Sequence, residues 1–82
     1  MNDRDILFAI SSSGNSKNIE NAILQAKKSG VTSISLSGFD GGIISEISDI
    51  SVVTKSDIGQ YGPVEDVHSM ICHYLAFEIR KL

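Results

Sequence analysis

Five consecutive apolar residues, Ile6-Leu7-Phe8-Ala9-Ile10, run directly into Ser11-Ser12-Ser13-Gly14-Asn15-Ser16. An apolar run of this length suits a strand with both faces covered, the usual situation in a parallel sheet lying under helices. The hydroxyl-rich segment behind it ends where helical periodicity begins. Strand, polar turn and helix head in that order aim backbone N–H groups outward, and the helix dipole favours negative charge beside them. Ser11, Ser12, Ser13 and Ser16 add hydroxyl donors without charge, so a phosphate there is held by neutral groups. Ser, Gly and Asn are also ordinary turn and N-cap residues, and the same segment reads equally as a plain connection. No Gly-Lys-Ser/Thr closes it and it contains no G-x-G-x-x-G, which places nucleotide binding behind phosphate binding.

The remaining chain alternates regularly. Ile19, Ala22, Ile23 and Ala26 recur at helical spacing, with Asn15 or Ser16 available as N-cap, Lys27 and Lys28 in the last turn and Gly30 as the left-handed stop. Val31 to Leu36 reads as a second strand, and Ser37-Gly38-Phe39-Asp40-Gly41-Gly42 as a second glycine-rich turn. Ile43, Ile44 and Ile47 predict a short helix, Asp49 to Thr54 a third strand, and Lys55 to Gly62 a polar loop. Pro63 suits a first helical position, with Glu65 and Asp66 answering the positive helix end. Val64, His68, Ile71, Leu75 and Ile79 then continue a helix to the end of the chain.

This order predicts an α/β fold with a parallel sheet and right-handed crossovers. Ligands of such sheets bind outside the carboxyl ends of the strands. The segments 11–16, 37–42 and 54–62 all fall at that edge and can line one pocket.

Size and charge narrow the classes further. The 82 residues, 41% hydrophobic and 21% charged, describe one small globular domain. No apolar run approaches the roughly 20 residues of a membrane span. Met1 to Asp5 is followed by too short an apolar stretch for a signal peptide. A single cysteine, Cys72, excludes an internal disulfide and fits a reducing cytoplasm. The net charge of −3 provides no general attraction to nucleic acid or to anionic membranes, so neither is expected as a partner. The most apolar strand comes almost at the start and needs neighbours that three strands hardly supply. Either the chain is the C-terminal part of a larger domain, the favoured reading, or it is an obligate oligomer.

Ile10-Ser11-Ser12-Ser13-Gly14-Asn15-Ser16, Ala26-Lys27-Lys28-Ser29-Gly30 and Ser37-Gly38-Phe39-Asp40-Gly41-Gly42 together resemble the sugar isomerase (SIS) domain. The likeness extends to bacterial phosphoheptose (sedoheptulose-7-phosphate) isomerases through Glu65, Asp66, His68 and His73. It covers essentially residues 1–82 but only the C-terminal half of the family's domain. The resemblance implies a three-layer α/β/α, flavodoxin-like sheet, of which these are the last three strands of about five. It implies that Ser11, Ser12, Ser13 and Ser16 bind a sugar phosphate, with Gly14 and Asn15 shaping the loop. It also implies homo-oligomers, dimers or tetramers, with active sites between subunits. The expected activity is aldose–ketose isomerisation of sedoheptulose 7-phosphate or a similar sugar phosphate. The alternative is a non-catalytic SIS module that senses a sugar phosphate or serves as an oligomeric adaptor.

In the isomerases the final helix contributes a glutamine and a histidine eight residues apart, aligned here with Glu65 and His73. Aldose–ketose isomerisation needs a base for the carbon-bound proton and a group that shuttles protons on oxygen. Glu65 replaces the glutamine and is not its equivalent. The family's other catalytic or metal-binding glutamate and histidine come from an N-terminal helix outside this sequence, so this chain alone is expected to be inactive. The cofactor stays open: a divalent metal such as zinc is possible in the family, but Glu65, His68, Cys72 and His73 match no compact zinc spacing, and no metal site is assigned. Eight residues of helix rise about 12 Å. Glu65 and His73 therefore meet one substrate only if Glu65 lies at a frayed helix start or one of them comes from a neighbouring subunit. Each also has a plain reading, Glu65 as a first-turn carboxylate and His73 as a partly exposed helix residue. His68 and Cys72 fall on the apolar stripe as packed residues, Asp57 and Gln60 are candidates for sugar hydroxyls, and Asp40 is expected to hold its own turn.

Overall fold

The computed structural model describes residues 2–82; Met1, part of the amino terminus discussed above, lies outside the described residues. The elements are β1 (Ile6–Ser11), α1 (Lys17–Lys28), β2 (Thr32–Phe39), α2 (Gly42–Ile47), β3 (Ile50–Lys55) and α3 (Tyr61–Ile79). The strands form one parallel sheet in the order β1-β2-β3, with Ile6 opposite Thr32 and Ile34 opposite Ile50. Strands added in sequence order by right-handed crossovers place both crossover helices on one face. α1 and α2 accordingly share a core with β1 built on Ala9, Ile23 and Ile44, against which Leu7, Ile19 and Ile47 lie. α3 covers the other face, where Val64 sits over Gly38; a Cβ on Gly38 would come within 2.5 Å of Val64 Cγ1.

β2 is longer than its periodicity suggests. Ser37, Gly38 and Phe39 continue the strand, paired with Val53, Thr54 and Lys55, so the second turn shrinks to residues 40–41. Burial between two helical layers and a strand on either side extends the ladder past the point where glycine and serine signal a turn. The strand ends at Phe39, which takes a left-handed φ of 54°. Its ring meets Tyr61 edge-on at 5.1 Å, fixing the start of α3 at the carboxyl edge. α3 begins at Tyr61, so Pro63 is its third residue. Amides of a first helical turn lack intrahelical partners, and proline is tolerated there as well.

Cover is uneven. Ile6 is 64% exposed, and Phe8 and Ile10 are also open, because α3 lies over β2 and β3 and leaves the same face of β1 bare. The result is an apolar groove of about 540 Å³ bordered by Ile6, Phe8, Ile34, Cys72, Leu75 and Ile79. Among the described residues no helix is long and apolar enough to cross a membrane.

Candidate functional site

Residues 12–16 connect β1 to α1 at the carboxyl edge of the sheet. Gly14, at φ 73°, is the hinge of this loop. A Cβ there would lie 2.1 Å from the carbonyl oxygen of Gly41, and one on Gly42 would lie 2.5 Å from Gly14. Only glycines allow the two turns to touch this closely. The contact is then pinned by hydrogen bonds: Ile44 N–H donates to Gly14 O at 3.0 Å, and Ile43 N–H donates to Asn15 Oδ1 at 3.1 Å. Gly42 N–H donates to Asp40 Oδ1 at 3.1 Å, so Asp40 does hold its own turn. The first three amides of α2 are therefore occupied.

α1 is different. Ser16 occupies its N-cap position with an extended backbone and no side-chain capping bond. Asn15, the other expected cap, points its carboxamide at α2. Among the described residues, the amides of Ser16, Lys17, Asn18 and Ile19 have no protein acceptor. Unsatisfied N–H groups at a helix head are where an oxyanion is stabilised, by direct hydrogen bonds and by the dipole. The neighbouring hydroxyls are arranged to donate. Ser11 Oγ accepts from Gly14 N–H at 3.2 Å and Ser13 Oγ from Asn15 N–H at 3.1 Å, which leaves each O–H proton free. Ser12 and Ser16 hydroxyls carry no protein hydrogen bond among the described residues. Lys17, the first residue of α1, pairs with Glu20 at 3.0 Å and adds a cationic side chain at the helix head that the reading of neutral donors left out.

The α3 candidates lie elsewhere. Glu65 is the fifth residue of a regular helix and exposed, and His73 is exposed further along it. No frayed segment brings the two together: their separation along the axis stays near 12 Å. His68 is buried, as its place on the apolar stripe implies, and its Nε2 donates to Ser37 O at 2.9 Å. A carbonyl only accepts, so Nε2 carries a proton, and Nδ1 is buried without a partner among the described residues. Sequence reasoning missed this bond; an isolated buried histidine opposite a strand end is its only trace. Gln60 Oε1 accepts from Asp57 N–H at 3.3 Å, closing a turn just before α3.

Among the described residues no three His, Cys, Asp or Glu side chains come together as metal ligands. With His68 committed to Ser37 and Glu65 and His73 apart, this chain's own residues do not fit a metal centre, and no step is derived through one.

A parallel α/β domain with an uncommitted donor cluster at the head of its first helix is the class these features define. The SIS domain model matches residues 1–80, and the chain belongs to the SIS domain family. It is similar to the phosphoheptose isomerase of Sulfurimonas denitrificans, 42% identical over 77 residues that cover 94% of this chain and 38% of that protein. The phosphoheptose isomerase of Glaesserella parasuis is 42% identical over 82 residues, covering 94% and 42% respectively. That of Helicobacter pylori strain P12 is 38% identical over 74 residues, covering 90% and 38%. The chain thus spans about two fifths of the length of the curated relatives it matches.

Proposed function

We propose that residues 1–82 form the C-terminal half of a SIS domain and hold the phosphate of a phosphosugar on Ser11, Ser12, Ser13, Gly14, Asn15 and Ser16. The observation that carries this reading is the contrast between the two helix heads: α2 has its amides filled by Asp40, Asn15 and Gly14, while those of α1 are open beside free hydroxyl protons. Kinship to proteins named phosphoheptose isomerase makes sedoheptulose 7-phosphate the substrate of choice.

The reaction of the whole protein is aldose–ketose isomerisation. A base removes a proton from the carbon beside the carbonyl and returns it to the former carbonyl carbon, while a second group moves a proton from one oxygen to the other. Glu65 and His73 are the residues of this chain suited to those roles. Their spacing along α3 calls for a homo-oligomer in which one of them serves a neighbouring subunit's sugar. The single chain binds, and turnover belongs to the assembly. The lone, half-buried Cys72 is in keeping with a cytoplasmic setting.

Titrating sedoheptulose 7-phosphate against the amide resonances of Gly14, Ser16, Lys17 and Asn18 tests the reading. Saturable shifts at these four, absent with unphosphorylated sedoheptulose, are expected. Shifts confined to other residues, or none, overturn it.

A further inference from the structure

Ser37 is fully buried, and its hydroxyl has no hydrogen-bond partner among the described residues. It stands directly opposite Ser11 in the β1–β2 register, at the last pair before the binding loop. Paired residues of neighbouring strands present their side chains to the same face, with backbones about 4.8 Å apart. Ser11 Oγ uses one lone pair on Gly14 N–H, and its second lone pair and its proton are uncommitted. A buried hydroxyl without a partner is costly, and such groups in folded proteins call for an explanation.

We propose that Ser37 is a positioning residue for the anion cradle. Its O–H donates to the second lone pair of Ser11 Oγ when an oxyanion is bound, which turns the Ser11 proton toward the anion. Its carbonyl meanwhile accepts from His68 Nε2–H. Hydrogen bonds in such a chain polarise one another, and the Ser11 O–H becomes a stronger donor than it is alone. The inference rests on the phosphate reading above and adds to it a residue that never touches the ligand.

Ser35 provides an internal control. It is equally buried, its hydroxyl also lacks a partner, and it stands two register steps further from the loop, opposite Ala9. Inorganic phosphate is titrated against the amide shifts of Lys17 and Asn18 in the parent chain and in Ser37→Ala, Ser35→Ala, Ser11→Ala and Ser11→Ala/Ser37→Ala. Ser37→Cys, which keeps the volume and weakens the donor, is the second variant, and the melting temperature of each is recorded. Ser37→Ala and Ser37→Cys are expected to weaken phosphate about three- to tenfold, and Ser35→Ala to leave its affinity unchanged. The double variant is expected to match Ser11→Ala, because Ser37 acts only through Ser11. Parent-like affinity in Ser37→Ala, or additive losses in the double variant, overturns the role of Ser37 while the cradle stands. Absence of phosphate shifts in the parent chain overturns the cradle and this role together.

Discussion

His68 and Ser37 join α3 to β2 across 31 residues of sequence: the imidazole Nε2 of α3 donates to the Ser37 carbonyl at 2.9 Å, near the end of the central strand. α3 carries Glu65 and His73, and Ser37 lies opposite Ser11. One hydrogen bond thus links the helix that carries the candidates Glu65 and His73 to the strand end behind the loop proposed to hold phosphate.

His68→Ala is expected to destabilise the fold by about 2–4 kcal/mol, because it removes a buried hydrogen bond to the Ser37 carbonyl and opens a cavity under α3. His68→Gln, which keeps an N–H donor, recovers part of that loss. Urea unfolding followed by circular dichroism measures both.

Gly14→Ala and Gly30→Ala separate backbone strain from crowding. Both glycines have φ near 72°, but a Cβ on Gly30 meets nothing within 4 Å whereas one on Gly14 strikes Gly41. Gly30→Ala should lose about 1–2 kcal/mol, the strain of a left-handed alanine alone. Gly14→Ala should lose more than twice that, or push the two turns apart and abolish phosphate shifts. Thermal melts of the two variants, side by side, decide it.

Asn15→Ala removes the acceptor of Ile43 N–H, and the missing cap is expected to lower stability by about 1 kcal/mol. Asn15→Asp keeps an acceptor and adds negative charge at the head of α2, where the dipole favours it. It should be as stable as the parent yet bind phosphate more weakly, through repulsion. A melt paired with a phosphate titration reads both effects; a destabilised Asn15→Asp would contradict the capping role.

Glu65→Ala and His73→Ala test the chemistry apart from the binding. In an assembly that turns over sedoheptulose 7-phosphate, each is expected to reduce kcat by about 10²–10⁴-fold, with phosphate affinity changed less than twofold. Full activity with both replaced removes these residues from the mechanism.

The order of strands and helices was legible because each element buries one face, and burial leaves a period in the sequence. Ile19, Ala22, Ile23 and Ala26 mark α1 in this way, and the apolar run at 6–10 marks β1. The loop could be located for the same reason, since it begins where one period stops and another starts. What the loop side chains do was not legible. Asn15 sits at the head of α1, and local rules make it a cap there. Its carboxamide instead serves Ile43, 28 residues away, a choice made by the approach of two glycine turns. The extension of β2 to Phe39 is of the same kind: Gly38 reads as a turn residue, yet it is a glycine because Val64 lies on top of it. The apolar run at β1 suggested two covered faces, and one of them is bare here.

The open amides of Ser16, Lys17, Asn18 and Ile19 belong to the main chain. On the proposed reading, drift among the serines trims the grip on an oxyanion without deleting it, as every residue except proline keeps its N–H. Were Glu65 and His73 replaced in a lineage, these amides would persist without selection on any side chain, because the main chain supplies them.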